Sequence, residues 1–355
     1  MSHSTHPIDA QLVMSALGRG IQDKDLLQRF AQAGLFNWPD SDDDREGATV
    51  EEYWRYGFTL EFDDAQAQER LLGISGIQGP FAASAILFYN AGVGGHAGWQ
   101  QTLPYGLSFG MSPADLERAF GPPRATRAPY GLPVSQFLVD AYVLDVCYAP
   151  EGQGNIDFFS FRLQNIYEKG EAPVSDRDWK LLARMIGKPV TDTTLLQLVE
   201  ASVGAPVTAS DLSSHENTQF HRQCGLSFYA LPAAELGGAG KQKCFAGFKM
   251  SRAGLYGSKG YSGALPFGLV FADGPDAVRE KMPATAKQGG FEASGRFTFR
   301  TDSLLIHVHY SLISWQIIAV TVFHLATDPS EQVGTLFPSL YKDCCRMPAV
   351  RWRWR

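Results

Sequence analysis

From Leu103 the chain reads LPYGLSFGMSPADLERAFGPP, and from Leu265 it reads LPFGLVFADGPDAVREKMPAT, aligned without a gap at a spacing of 162 residues. Nothing else in the sequence constrains the fold as tightly, because a repeated segment implies a repeated unit of structure. Leu103, Pro104, Gly106, Leu107, Phe109 and Pro113 meet Leu265, Pro266, Gly268, Leu269, Phe271 and Pro275. Downstream, YVLDVCY ending at Tyr148 meets LLIHVHY ending at Tyr310, and IDFFSFRL ending at Leu163 meets IAVTVFHL ending at Leu325. Upstream, AILFYNAG ending at Gly92 meets GFKMSRAG ending at Gly254, and Gly98-Trp99 meets Gly260-Tyr261. Earlier still the offset drifts: Gly57 answers Gly225, and the segment from Leu17 answers the one from Ile186. Drift in loops, with the segments kept in order, is the pattern of a tandem duplication.

Each unit reads alike. A short helix (AQLVMSALG, DWKLLARMIG) runs to Gly18 or Gly187, a residue suited to a left-handed cap. Asp23 or Asp192 then caps a second helix that carries a Leu-Leu pair. After a long polar loop come strands with period-two alternation, such as Phe58, Leu60 and Phe62 on one face. LPxGLxF reads as the start of a strand, with proline where a missing N–H does least harm. Ser112 and Pro113 open a helix with Leu116 and Phe120 on its buried face, and two or more strands close an antiparallel sheet. The expected class is α+β, a tandem duplication of a unit with short helices packed on an antiparallel β-sheet. The expected boundaries are 8–171 for the first unit, 172–346 for the second and 347–355 for a C-terminal tail.

At 355 residues, with 45% hydrophobic and 12% aromatic content, the chain can bury two cores. A net charge of −6 argues against direct nucleic-acid binding, which needs a basic face, and suits a basic partner. Five cysteines without a CxxC pair fit neither a zinc framework nor a disulfide scaffold. The first residues lack a signal-peptide apolar run, and no later segment has membrane-span length, so a cytoplasmic location is expected.

The candidate chemistry is sparse. His307 and His309 share one face of a strand whose other face carries Ile306, Val308 and Tyr310; without a third ligand they read as a polar sheet face. His215, His221 and Cys224 offer a thiol with nearby bases, the elements of nucleophilic catalysis, although Cys224 beside the strand glycine also suits packing. AGVGGHAG lacks the Lys-Ser/Thr of a phosphate loop and reads as a flexible hairpin connection. Asp40, Asp42, Asp43, Asp44 and Glu46 crowd one short loop, a charge cluster that could steer a basic protein. With the loop aromatics Trp38 and Trp99, Asp42, Asp43, Asp44 and Glu46 form the candidate partner-binding set. No role is assigned to the tail RWRWR.

The combination of LPxGLxFxMSxxxLxxxxGPP, the preceding Gly-Trp or Gly-Tyr and the following YxLxVxY resembles a module of immunity proteins from bacterial polymorphic toxin systems. The Leu-Leu helical opening of each unit is typical of the same group. Tandem construction and length make the chain most similar to type VI secretion immunity proteins partnered with nuclease effectors, over about residues 10–345. The resemblance implies a protein that neutralises a cognate toxin by binding it, with no catalytic residues, no cofactor, no metal and no membrane partner. The second unit departs from the motif, with Gly274 where the first has Ser112 and no closing Gly-Pro-Pro, which singles out one unit for the partner. GMSPADLERAFGPP also resembles BamE-like and beta-lactamase-inhibitor-like domains. A Cys/His-dependent hydrolase-like enzyme using His215, His221 and Cys224, and a BamE-like or inhibitor-like structural binding protein, stand as alternatives, the BamE-like one needing export.

Overall fold

The computed structural model describes residues 8–35, 38–39, 49–128, 132–150, 154–213, 218–291, 294–312 and 314–327. These divide between Ile166 and Tyr167 into two compact units, five residues before the boundary expected after 171. In the first unit, α1 (Ala10–Met14) and α2 (Lys24–Gln32) precede β1 (Thr49–Tyr53), β2 (Phe58–Asp64), α3 (Ala65–Leu72) and β3 (Phe81–Tyr89). Then come α4 (Pro113–Phe120), β4 (Ala125–Arg127), β5 (Val134–Val139), β6 (Tyr142–Tyr148) and β7 (Ile156–Leu163). The second unit runs through α5 (Trp179–Ala183), α6 (Thr193–Val203), α7 (Ala209–Ser213), α8 (Thr218–Cys224), β8 (Leu226–Pro232) and β9 (Lys243–Ser251). It continues with α9 (Pro275–Lys281), β10 (Lys287–Phe291), β11 (Ser294–Arg300), β12 (Leu304–Ser311) and β13 (Gln316–His324). The class is α+β: short helices and antiparallel sheets.

The first sheet has the order β1-β2-β3-β7-β6-β5-β4, and the second, read from the other edge, β8-β9-β13-β12-β11-β10. Strand for strand the two orders agree, except that β1 adds a seventh strand to the first sheet. Each sheet buries one face against its helices. Phe58, Leu60, Phe62, Phe88, Leu144, Val146, Phe159 and Phe161 pack with Leu26, Phe30 and Leu116. In the second unit Leu226, Phe228, Phe248, Ile306, Val308, Val320 and Val322 pack with Leu195, Val199 and Val278. Each such side chain contributes roughly 1.5–3 kcal/mol on leaving water.

The helices follow local rules. Asp23 accepts from the N–H of Leu26 and Asp192 from that of Leu195, and the buried Leu26/Phe30 and Leu195/Val199 pairs lie four apart. Ser112 and Asp115 make a capping box around Pro113 at the start of α4, whereas α9 has Gly274 and no side-chain cap. Gly18 and Gly187 do have positive φ, yet their N–H groups donate to the carbonyls of Ala83 and Phe245 and so tie the chain to a sheet.

Two expectations change in three dimensions. LPxG does not start a strand. In both copies Pro-aromatic-Gly-Leu is a tight turn, with Leu107 N–H donating to Pro104 and Leu269 to Pro266, each at 3.1 Å. Its two central residues have positive φ (Tyr105 58°, Gly106 68°; Phe267 60°, Gly268 67°), the geometry of a type I′ turn. The second change is register. The 162-residue spacing fails in the last strand, where Ile156, Phe159 and Phe161 share the core face that Ile317, Val320 and Val322 occupy in the second unit, a spacing of 161. The hairpin preceding β13 is one residue shorter, and a one-residue slip exchanges the two faces of a strand.

Candidate functional site

The acidic residues Asp42, Asp43, Asp44 and Glu46 lie outside the described residues, as do His215 and the tail. Trp38 packs edge-on against Phe30 (5.0 Å between ring centroids) and Phe62 (5.6 Å), lying partly buried on the core. Trp99 corrects the expectation of a loop anchor. It is 6% exposed and wedged against Phe88 and Phe58, because Gly57 lets the Gly98–Trp99 backbone close onto the turn before β2. Its ring offers no surface to a partner.

Cys224 and His221 are each held by a backbone carbonyl. Cys224, at the end of α8, is buried and donates its thiol hydrogen to the Phe220 carbonyl at 3.2 Å. Burial pushes its pKa up, which keeps it a thiol. His221 Nε2 lies 2.7 Å from the Leu255 carbonyl, so that nitrogen carries the proton and holds the glycine turn of the second unit. On β12, Ile306, Val308 and Tyr310 do face the core. His307 is buried with Nδ1 2.9 Å from the Thr298 hydroxyl. Burial, with the charges of His307, Arg296 and Lys249, holds His309 well below its ordinary value. Among the described residues no group of three or more metal-ligating side chains forms.

The corresponding face of the first sheet carries opposite chemistry. Asp145, at the position matching His307, accepts from Arg127 at 2.6 Å and from Gln136 Nε2 at 2.9 Å, with the Arg127 side chain 2% exposed. Breaking such a buried pair from one side typically costs about 3–5 kcal/mol.

Beside it stands a column of rings that the sequence did not single out. Val93-Gly94-Gly95-His96 is a type I′ turn closed by His96 N–H on the Val93 carbonyl, and Gly92 N–H donates to the His96 carbonyl. This folds the His96 ring flat onto Tyr89, at the end of β3, with centroids 3.9 Å apart and planes 7° apart. Trp54, from the turn joining β1 and β2, stacks on the histidine at 5.4 Å and 10°. The Trp54 carbonyl accepts from Ala97 N–H at 2.9 Å, and a side chain on Gly95 would strike the indole. His96 is 3% exposed and its Nδ1 meets no partner, whereas Trp54 is 47% exposed and Tyr56, in the same turn, 41%.

The charges around the column are acidic. Partial burial raises the pKa of Glu52, against which works the indole N–H that Trp54 donates to it. Burial and neighbouring Asp63 push Glu61 up to about 7. Both carboxylates, after burial itself, help hold the Tyr89 phenol protonated. Burial keeps His96 below its ordinary value. In the second unit Ser251 and Ser258 occupy the positions of Tyr89 and His96, so the column belongs to the first unit alone. Its only sequence signal is the Gly-Gly-His that replaces Tyr-Gly-Ser.

No protein-family model matches the chain. Neither does any curated protein. Among solved structures it is similar to a DUF4309 family protein (YjgB) from Bacillus subtilis subsp. subtilis str. 168, with 13% identity over 40% of this chain and 78% of that one. The TM-score of 0.23 is too low for that likeness to bear on fold or function. Among the described residues no helix is long and apolar enough to cross a membrane.

Proposed function

We propose that the chain is an immunity-type binding protein that acts in the cytoplasm and neutralises a cognate secreted toxin, a nuclease effector of a type VI system, by protein–protein inhibition. In this reading the two units descend from one duplicated ancestor, and the first has become the partner-holding half. The observation that carries it is the ring column of that unit: a half-exposed tryptophan, fixed by stacking and hydrogen bonding, among carboxylates. A fixed aromatic anchor loses little freedom on association, and aromatic side chains dominate binding hot spots. A nuclease needs a basic surface for its own substrate, which an acidic surface complements. The buried, protonated Cys224 works against the hydrolase alternative.

The test is co-purification of the tagged chain from lysate of the producing bacterium, followed by expression of any stoichiometric partner with and without it. The expected partner degrades nucleic acid, kills on expression and is harmless when co-expressed with this protein. A partner that is not toxic, or a chain that never acquires one, overturns the proposal.

A further inference from the structure

We infer that the exposed face of Trp54, with the Glu52 carboxylate at its indole edge, is a receptor for a guanidinium or ammonium group presented by a basic protein surface. Naming a protein as the bearer of that cation rests on the binding reading above; the receptor chemistry does not. One face of the indole is covered by His96, so the 47% of Trp54 that remains exposed includes the other face. The open face of an indole attracts a cation through its quadrupole, more strongly than the ring of Tyr or Phe does. Glu52, exposed two residues before Trp54, has a pKa that desolvation raises and the nearby indole N–H lowers, and would supply a charge-assisted acceptor to a guanidinium lying on the indole.

Two further features fit a cation. The column beneath is neutral, because burial disfavours the imidazolium form of His96, so nothing under the indole repels a positive charge. Tyr56, 41% exposed two residues along the turn, widens the platform for the aliphatic stem of an arginine or lysine. The receptor is preformed: the turn is closed by Tyr56 and Gly57 N–H groups on the Tyr53 carbonyl, and Ala97 holds the Trp54 carbonyl.

The probe is nona-arginine, with nona-citrulline as its uncharged counterpart, titrated into the full chain by calorimetry at low salt. Nona-arginine is expected to bind saturably and nona-citrulline not to bind. Trp54→Ala should weaken nona-arginine binding about tenfold, and Glu52→Gln should weaken it as well. Trp54→Tyr keeps a ring to stack on His96, so its fold and most of its binding should survive, which separates lost recognition from lost structure. Equal affinity of Trp54→Ala and the wild type would mean that net charge alone attracts the peptide, and would overturn the proposal. So would equal binding of the two peptides. The assay contains no toxin. Its failure would leave the toxin-binding reading to another surface, and failure of toxin co-purification would leave the receptor standing.

Discussion

Glu61 and His96 flank one phenol and titrate in opposite senses. Burial and Asp63 lift Glu61 from an ordinary 4.5 to about 7. A carboxyl whose pKa is raised by folding stabilises the protein fully below the unfolded value, and that contribution is lost as the pH rises from about 4.5 through 7. Glu61→Gln removes the loss. Its stability in urea unfolding should match the wild type near pH 4 and exceed it by about 1–3 kcal/mol at pH 8; the same difference at both pH values would refute the assignment. His96 works the other way. Its pKa is lowered from 6.5, so its contribution is complete above that value and is lost as the pH falls through the folded pKa. The wild-type profile sums the two, and only single-site variants separate them. None of this was legible in the sequence, because Glu61 sits in a strand that reads as ordinary alternation.

At the scale of elements, what was legible was local. Asp23, Asp192 and Ser112 cap the helices expected of them, since a cap needs only its own first turn. The faces of β2 and β12 followed from alternation. Inside stretches read as loop or sheet, α3, α7 and α8 escaped notice, as did β1, which pairs with β2 at the edge of the described sheet. The slip in β13 escaped as well, because register is set by the partner strand and the loop before it. Gly57 and Gly225 sit at matching turns of the two units and are constrained alike. Each has φ near 74°, and a Cβ would lie 2.3 Å from the backbone nitrogen of Trp99 or Tyr261. Alanine at either site should cost about 2 kcal/mol or more, against about 1 for Gly204→Ala, where φ is also positive but nothing lies within 4 Å. Urea midpoints of the three variants give the comparison, and equal losses would show that backbone strain alone acts.

At the scale of the whole molecule, two cores of similar make-up lie on either side of the Ile166–Tyr167 division. Residues 167–345 expressed alone should therefore melt cooperatively by circular dichroism; a broad, non-cooperative transition would mean that this unit needs the rest of the chain. By itself the sequence determined the α+β class, the caps and the alternating faces, because all of these depend on residues close together in the chain. Only the tertiary structure decided which aromatics are available. Trp38, Trp54 and Trp99 all lie in loops or turns, yet Trp99 is sealed by Gly57 and two phenylalanines, Trp38 rests on the core, and Trp54 stands on a histidine with nearly half its surface exposed. The physical reason is that a ring's burial is set by the neighbours that strands distant in sequence bring to it.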